Sequence, residues 1–140
     1  MSKQSQIKMI EFIKDRGETL AIIFNPDPFA TEGIEFVTND EDILQLGYMK
    51  YQENKQIQPH IHKPFKRETV GTSEVIFIKS GRIRANFFTN QKIPIKSLEL
   101  NEGTWMILIN GGHGFDILEP TEMIEVKNGP YADNLDKERF

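Results

Sequence analysis

Few residues in this chain could do chemistry, and their placement is uneven. The three histidines are His60 and His62, in PHIH, and His113, in GGHGF. In a strand, side chains two apart share a face, so His60 and His62 point together while Ile61 faces the other way. That spacing lets two imidazoles reach one ion, although two solvated or core histidines have the same spacing. Glu74 opens the apolar run of TSEVIFIKSG and sets a carboxylate at a strand mouth, where an isolated exposed glutamate is also commonplace. His113 is flanked by Gly112 and Gly114, which let the backbone turn sharply or approach another group closely. Three histidines placed in this way could converge on one metal ion.

Such donors must be carried by rigid elements, and most of the chain reads as strands. TLAIIF (19–24), ILQLGYMKYQ (43–52), SEVIFIKS (73–80), RIRANFFT (82–89), KSLELN (96–101), TWMILIN (104–110), FDILE (115–119) and TEMIEVKN (121–128) are short apolar or alternating runs. NPDPF, VTNDED, KSG, NEG, GGHG and NGP between them have turn chemistry. Ahead of these, SQIKMIEFIKDRG spaces Ile7, Ile10 and Ile13 by three, which predicts a short amphipathic helix ending at Gly17. Strands at this density, with no second helical pattern, predict an antiparallel sandwich or barrel. The expected organisation is an N-terminal segment with edge strands (1–42), a barrel (43–130) and a polar tail (131–140). The tail is either a disordered end or an arm packed on a partner subunit.

With 140 residues, the chain is expected to form one domain with a sizeable core. No apolar run approaches the roughly 18 residues of a membrane span. MSKQSQIKMIEF lacks the apolar core of a signal peptide, and no cysteine is present, so a cytoplasmic protein without disulfides is expected. A net charge of −4 without a basic cluster argues against nucleic-acid binding.

Taken together, HIH, Glu74 with Gly81 beyond it, and GTWMILINGGH resemble the two motifs of the cupins. The resemblance implies an all-β, single-domain jelly-roll barrel (a double-stranded β-helix) with a short N-terminal helical or extended segment. It also implies one divalent metal ion held by His60, His62, Glu74 and His113, a set of three neutral imidazoles and one carboxylate that suits Fe, Mn, Ni or Zn with positions left open for substrate or water. The chain departs from the usual pattern in three places. Eleven residues separate His62 from Glu74, Ile109 replaces the proline of the second motif, and His113 comes one residue early. More locally, residues 43–140 resemble a little-characterised bacterial small-cupin family associated with surface-polysaccharide biosynthesis clusters. The implied ligand is a small polar molecule, a sugar or sugar nucleotide. Isomerisation or epimerisation, iron-dependent oxygen or lyase chemistry, and ligand binding without turnover all remain open. A homodimer is expected, with TLAIIF as the strand exchanged at a sheet edge.

Around the metal ligands, Arg67 could bind a carboxylate or phosphate, as could Lys63 and Lys66 beside it. Arg84 and Asn86 share a strand face and could enter the cavity. Trp105 and Phe115 could form a stacking wall, and Tyr48 could donate a hydrogen bond to substrate. Asp116 could orient His113. For each of these, a solvated or core role is the plain alternative.

Overall fold

A computed structural model describes residues 10–26 and 32–140. Among the described residues there are ten strands and one short 3-10 turn. The strands are β1 (Ile10–Asp15), β2 (Glu18–Phe24), β3 (Gly33–Phe36), β4 (Gly47–Lys50), β5 (Glu74–Ser80), β6 (Arg82–Phe88), β7 (Pro94–Asn101), β8 (Trp105–Leu108), β9 (Gly112–Ile117) and β10 (Glu122–Lys127). They form a five-stranded sheet in the order β1-β2-β8-β5-β10, a three-stranded sheet β7-β6-β9 and a separate hairpin β3-β4, all with antiparallel pairing. Among the described residues, the sheets do not close into a barrel, and each keeps free edges.

Two apolar layers explain the composition of the strands. Ala21 and Ile23 of β2, Ile76 and Ile78 of β5, Met106 and Leu108 of β8, and Ile83, Ala85 and Phe87 of β6 fill the space between the two sheets. Ile22, Phe24, Val75 and Ile107 project to the far side of the larger sheet, where Val37, Leu44, Leu46 and Tyr48 cover them. Strands β2, β5 and β8 are therefore buried on both faces, which is why they read as continuous apolar runs. Strand β6 has one core face and alternates along RIRANFF.

The N-terminal helix expected from the isoleucine spacing is not present over the described residues. Ile10–Asp15 is instead the outer strand of a hairpin with β2, and Ile7 lies outside the described residues. Arg16 and Gly17 have φ of 49° and 81°. Positive φ at both central residues is the primed turn that matches strand twist, and it ends a strand rather than a helix. TLAIIF also differs from its expected role. As β2 it lies inside the sheet, between β1 and β8, with no free edge to exchange. ILQLGYMKYQ is a strand only over Gly47–Lys50. The tail folds back on its own chain through a 3-10 turn at Asp133–Asp136, a Phe88–Phe140 edge-to-face contact at 5.1 Å and a Lys92–Glu138 ion pair at 2.7 Å.

Candidate functional site

Register decides which side chains meet. His113 of β9 lies opposite Phe87 of β6, and Phe115 opposite Ala85, so both face the space between the sheets. Glu74, the first residue of β5, lies opposite Leu108 on one side and Lys127 on the other. The two sheets thus bring Glu74 and His113 together from positions 39 residues apart. His113 Nε2 stands 3.4 Å from Glu74 Oε2, and Glu74 is buried. Phe115 stacks on the His113 ring with centroids 5.7 Å apart.

The backbone before His113 shows why GGHG has its glycines. Gly111 has φ of 76°, and a Cβ there would collide with the Phe88 carbonyl oxygen. The chain can therefore turn tightly into β9 only with glycine at this position.

A third group completes the constellation. Glu125 of β10 lies opposite Ile76 of β5, near enough to Glu74 for each carboxyl to influence the other's ionisation. The hydrogen bond from His113 holds the Glu74 carboxyl below its ordinary range, against the opposing effect of burial. Glu125 is pushed the other way, first by desolvation and then by the Glu74 charge. Of the two carboxyls, Glu74 is therefore the one that ionises more readily, beside the imidazole. These three groups, with Ile76, Phe115, Met123 and Lys137, line an inner cavity of about 350 Å³. Glu125 and Lys137 were missed in the sequence. The available signal was TEMIEVKN, where Met123 and Glu125 face the cavity while Ile124 and Val126 are exposed on the outer face.

A larger cleft of about 950 Å³ runs beside it along β9. Its lining includes His113 and Phe115 from the inner face of β9, and Gly112, Gly114 and Asp116 from the outer face. The returning tail, residues 136–140, forms another wall.

Other expected site residues are spread more widely. His60 and His62 lie in residues 51–73, which have no regular secondary structure and are exposed through residue 71. Their rings are 5.3 Å apart, edge to face, and His60 Nδ1 donates to the Gln58 carbonyl at 2.9 Å. Arg67 lies in the same segment, its guanidinium 3.9 Å from the Phe65 ring centroid. Lys66 pairs with Glu68 at 3.0 Å. Arg84 and Asn86 face outward from the core of the sandwich, and Asn86 lines the larger cleft. Arg84 pairs with Glu99 and Asp116, while Asn86 donates to Asp116 at 3.0 Å and accepts from Ser97 at 2.6 Å. Asp116 is thus engaged on the outer face. Tyr48 packs edge-on against Phe24, and Trp105 stacks on Phe77 at 4.5 Å, both on the far side of the large sheet.

Among the described residues, no three His, Cys, Asp or Glu side chains come close enough to hold one ion. The expected donor set is instead split into two pairs, Glu74–His113 between the sheets and His60–His62 on the exposed segment. A single chain in this arrangement does not assemble the four-donor centre. The chain matches no family model, no curated protein and no solved structure.

Proposed function

We propose that the chain is an open form of the cupin jelly roll whose inner cavity binds a small hydroxyl-rich molecule of the sugar or sugar-phosphate type. The observation that carries this reading is the His113–Glu74–Glu125 chain at the wall of a cavity large enough for one small ring. Carboxylates accept hydrogen bonds and an imidazole both donates and accepts, which matches the needs of neighbouring hydroxyls. Phe115 offers an apolar surface for the face of a ring, and Lys137 offers a charge for a phosphate. The cytoplasmic location expected from the sequence belongs to the same proposal. No helix among the described residues is long and apolar enough to cross a membrane.

Calorimetric titration with a panel of sugars, sugar phosphates and nucleotide sugars tests the reading. Binding should weaken about tenfold or more, ~1.4 kcal/mol, in His113→Ala and Glu125→Ala. Arg84→Ala, on the outward face, should leave it unchanged. Absence of binding across the panel, or equal affinity in the cavity variants, would sink the sugar reading.

A further inference from the structure

Residues 133–140 reach the candidate site without being built into either sheet. Asp133 stands at φ 55° and starts the 3-10 turn that directs the chain back toward β9. Among the described residues, no backbone hydrogen bond joins residues 136–140 to a strand. Side chains alone hold them. Phe140 meets Phe88 edge to face, Lys92 Nζ stands 5.7 Å over the Phe140 ring and pairs with Glu138 at 2.7 Å, and Lys127 pairs with Asp136 at 3.8 Å. Exposed ion pairs are weak and screened by salt. A segment tied only in this way opens far more readily than the sheets unfold.

The body of the protein is nevertheless shaped to receive this segment. Gly112 has no positive φ, so its backbone does not require glycine, yet a Cβ there would stand 3.0 Å from Phe140 Cζ and 3.3 Å from Phe88 Cβ. The missing side chain is thus the seat of the Phe140 ring. Lys92 stands at φ 68°, a conformation that asparagine adopts more readily than lysine. What a lysine adds is the ammonium that meets Glu138 and Phe140. The turn that carries it is firmly tied, since Lys92 N–H donates to the Thr89 carbonyl at 2.9 Å and Ile93 N–H to the Thr89 hydroxyl at 3.2 Å. A rigid anchor therefore faces a loosely held segment.

We propose that residues 133–140 are a strap that closes over His113 and both cavities, latched by Phe140 on Gly112 and by Glu138 on Lys92, and that small molecules enter when the latch releases. The strap carries Lys137, which lines both cavities and whose charge acts on Glu74 and Glu125. The two carboxyls therefore draw the strap inward. Its release removes one wall of the larger cleft and withdraws Lys137 from the inner cavity in one movement. When shut, it keeps bulk water from the His113–Glu74 pair and strengthens the electrostatic interactions there.

The test follows access to His113 in the full chain. Diethyl pyrocarbonate acylates neutral imidazole, and peptide mass spectrometry reads the three histidines separately at about pH 8, above the ordinary imidazole range. His60 and His62 are exposed and serve as references inside the same molecule. In wild type, His113 should react more slowly than either. Phe140→Ala and Lys92→Asn should each speed His113 about two- to fivefold, the population change that loss of one exposed contact allows, with the references unchanged. Asparagine suits the turn, so Lys92→Asn removes the latch without loosening the fold. Raising sodium chloride to about 0.5 M should speed His113 in wild type and much less in Lys92→Asn. A wild-type His113 as fast as His60, or a rate unmoved by both variants, overturns the proposal. A rise shared by all three histidines reports general loosening and overturns it equally. A second measurement holds the strap shut. Carbodiimide joins an amine to a carboxylate already in contact with it, and the Lys96–Glu11 pair at 2.8 Å is the internal reference. A Lys92–Glu138 amide should form in wild type and abolish the effect of salt on His113. If His113 in the coupled chain still gains speed with salt, release of the strap is not its route to solvent and the proposal fails. Neither measurement involves a sugar, so failure of the strap and failure of the sugar reading are separate results.

Discussion

Glu74 and Glu125 shift in opposite directions because the His113 imidazole stands beside Glu74, whereas desolvation and the Glu74 charge outweigh the nearby Lys127 and Lys137 at Glu125. Glu74 has a folded pKa below its unfolded value, so its stabilisation is present above the unfolded value and lost as pH falls through the folded one. Thermal melts of Glu74→Gln should therefore lie below wild type near pH 7, with the gap closing in acid. Glu125 has the reverse sign, since its raised folded pKa makes ionisation unfavourable to the fold. Glu125→Gln should melt above wild type near pH 7 and coincide with it below the ordinary carboxylate range. Identical profiles for the two variants would contradict the opposite shifts of the two carboxyls. At Gly111 the positive φ and the Phe88 carbonyl both exclude a side chain, so Gly111→Ala should cost about 1–3 kcal/mol in denaturant unfolding. At this scale the sequence singled out His113 and Glu74, which the fold brings within 3.4 Å of each other. It did not show Glu125, because a glutamate alternating with isoleucine and valine reads as the solvent face of a strand. Only the pairing of β10 with β5 reveals that the isoleucine and valine face out.

At the scale of elements, most strands could be located from apolar runs and turn residues, since both are local properties. β1 could not. Isoleucines three apart satisfy a helix, and the competing pattern, two left-handed residues at Arg16–Gly17, acts only once β2 is there to pair. Arginine is a poor residue for φ of 49°, whereas asparagine adopts it readily. Arg16→Asn should thus stabilise the hairpin by a few tenths to about 1 kcal/mol, read as a shift of the denaturation midpoint at constant slope. A loss would mean that the Arg16 side chain has a role the turn does not explain. The PHIH strand expected from the sequence is likewise absent from the single chain. Extended bias from the prolines is local, but a strand exists only when another strand takes its hydrogen bonds.

For the whole molecule, stability resides between the two sheets and the returning tail adds little. Phe87 is among the largest fully buried side chains, while Phe140 remains 63% exposed where it meets Phe88. Phe87→Ala should cost about 3–5 kcal/mol and Phe140→Ala about 1 kcal/mol or less. A tail variant as damaging as the core variant would show that the tail holds the sheets together rather than lining the cleft. By itself, the sequence determined the all-β class and which side chains were candidates for a site, because alternation, turn chemistry and residue type are written over a few neighbouring positions. The tertiary structure decided which of those side chains meet. Glu74 and His113 are brought together by the register of β5 and β9 in different sheets, while His60 and His62, adjacent in sequence to the same motif, stay apart for want of a strand to pair with. Long-range pairing depends on the sum of both sheets' packing, and no local pattern encodes that sum.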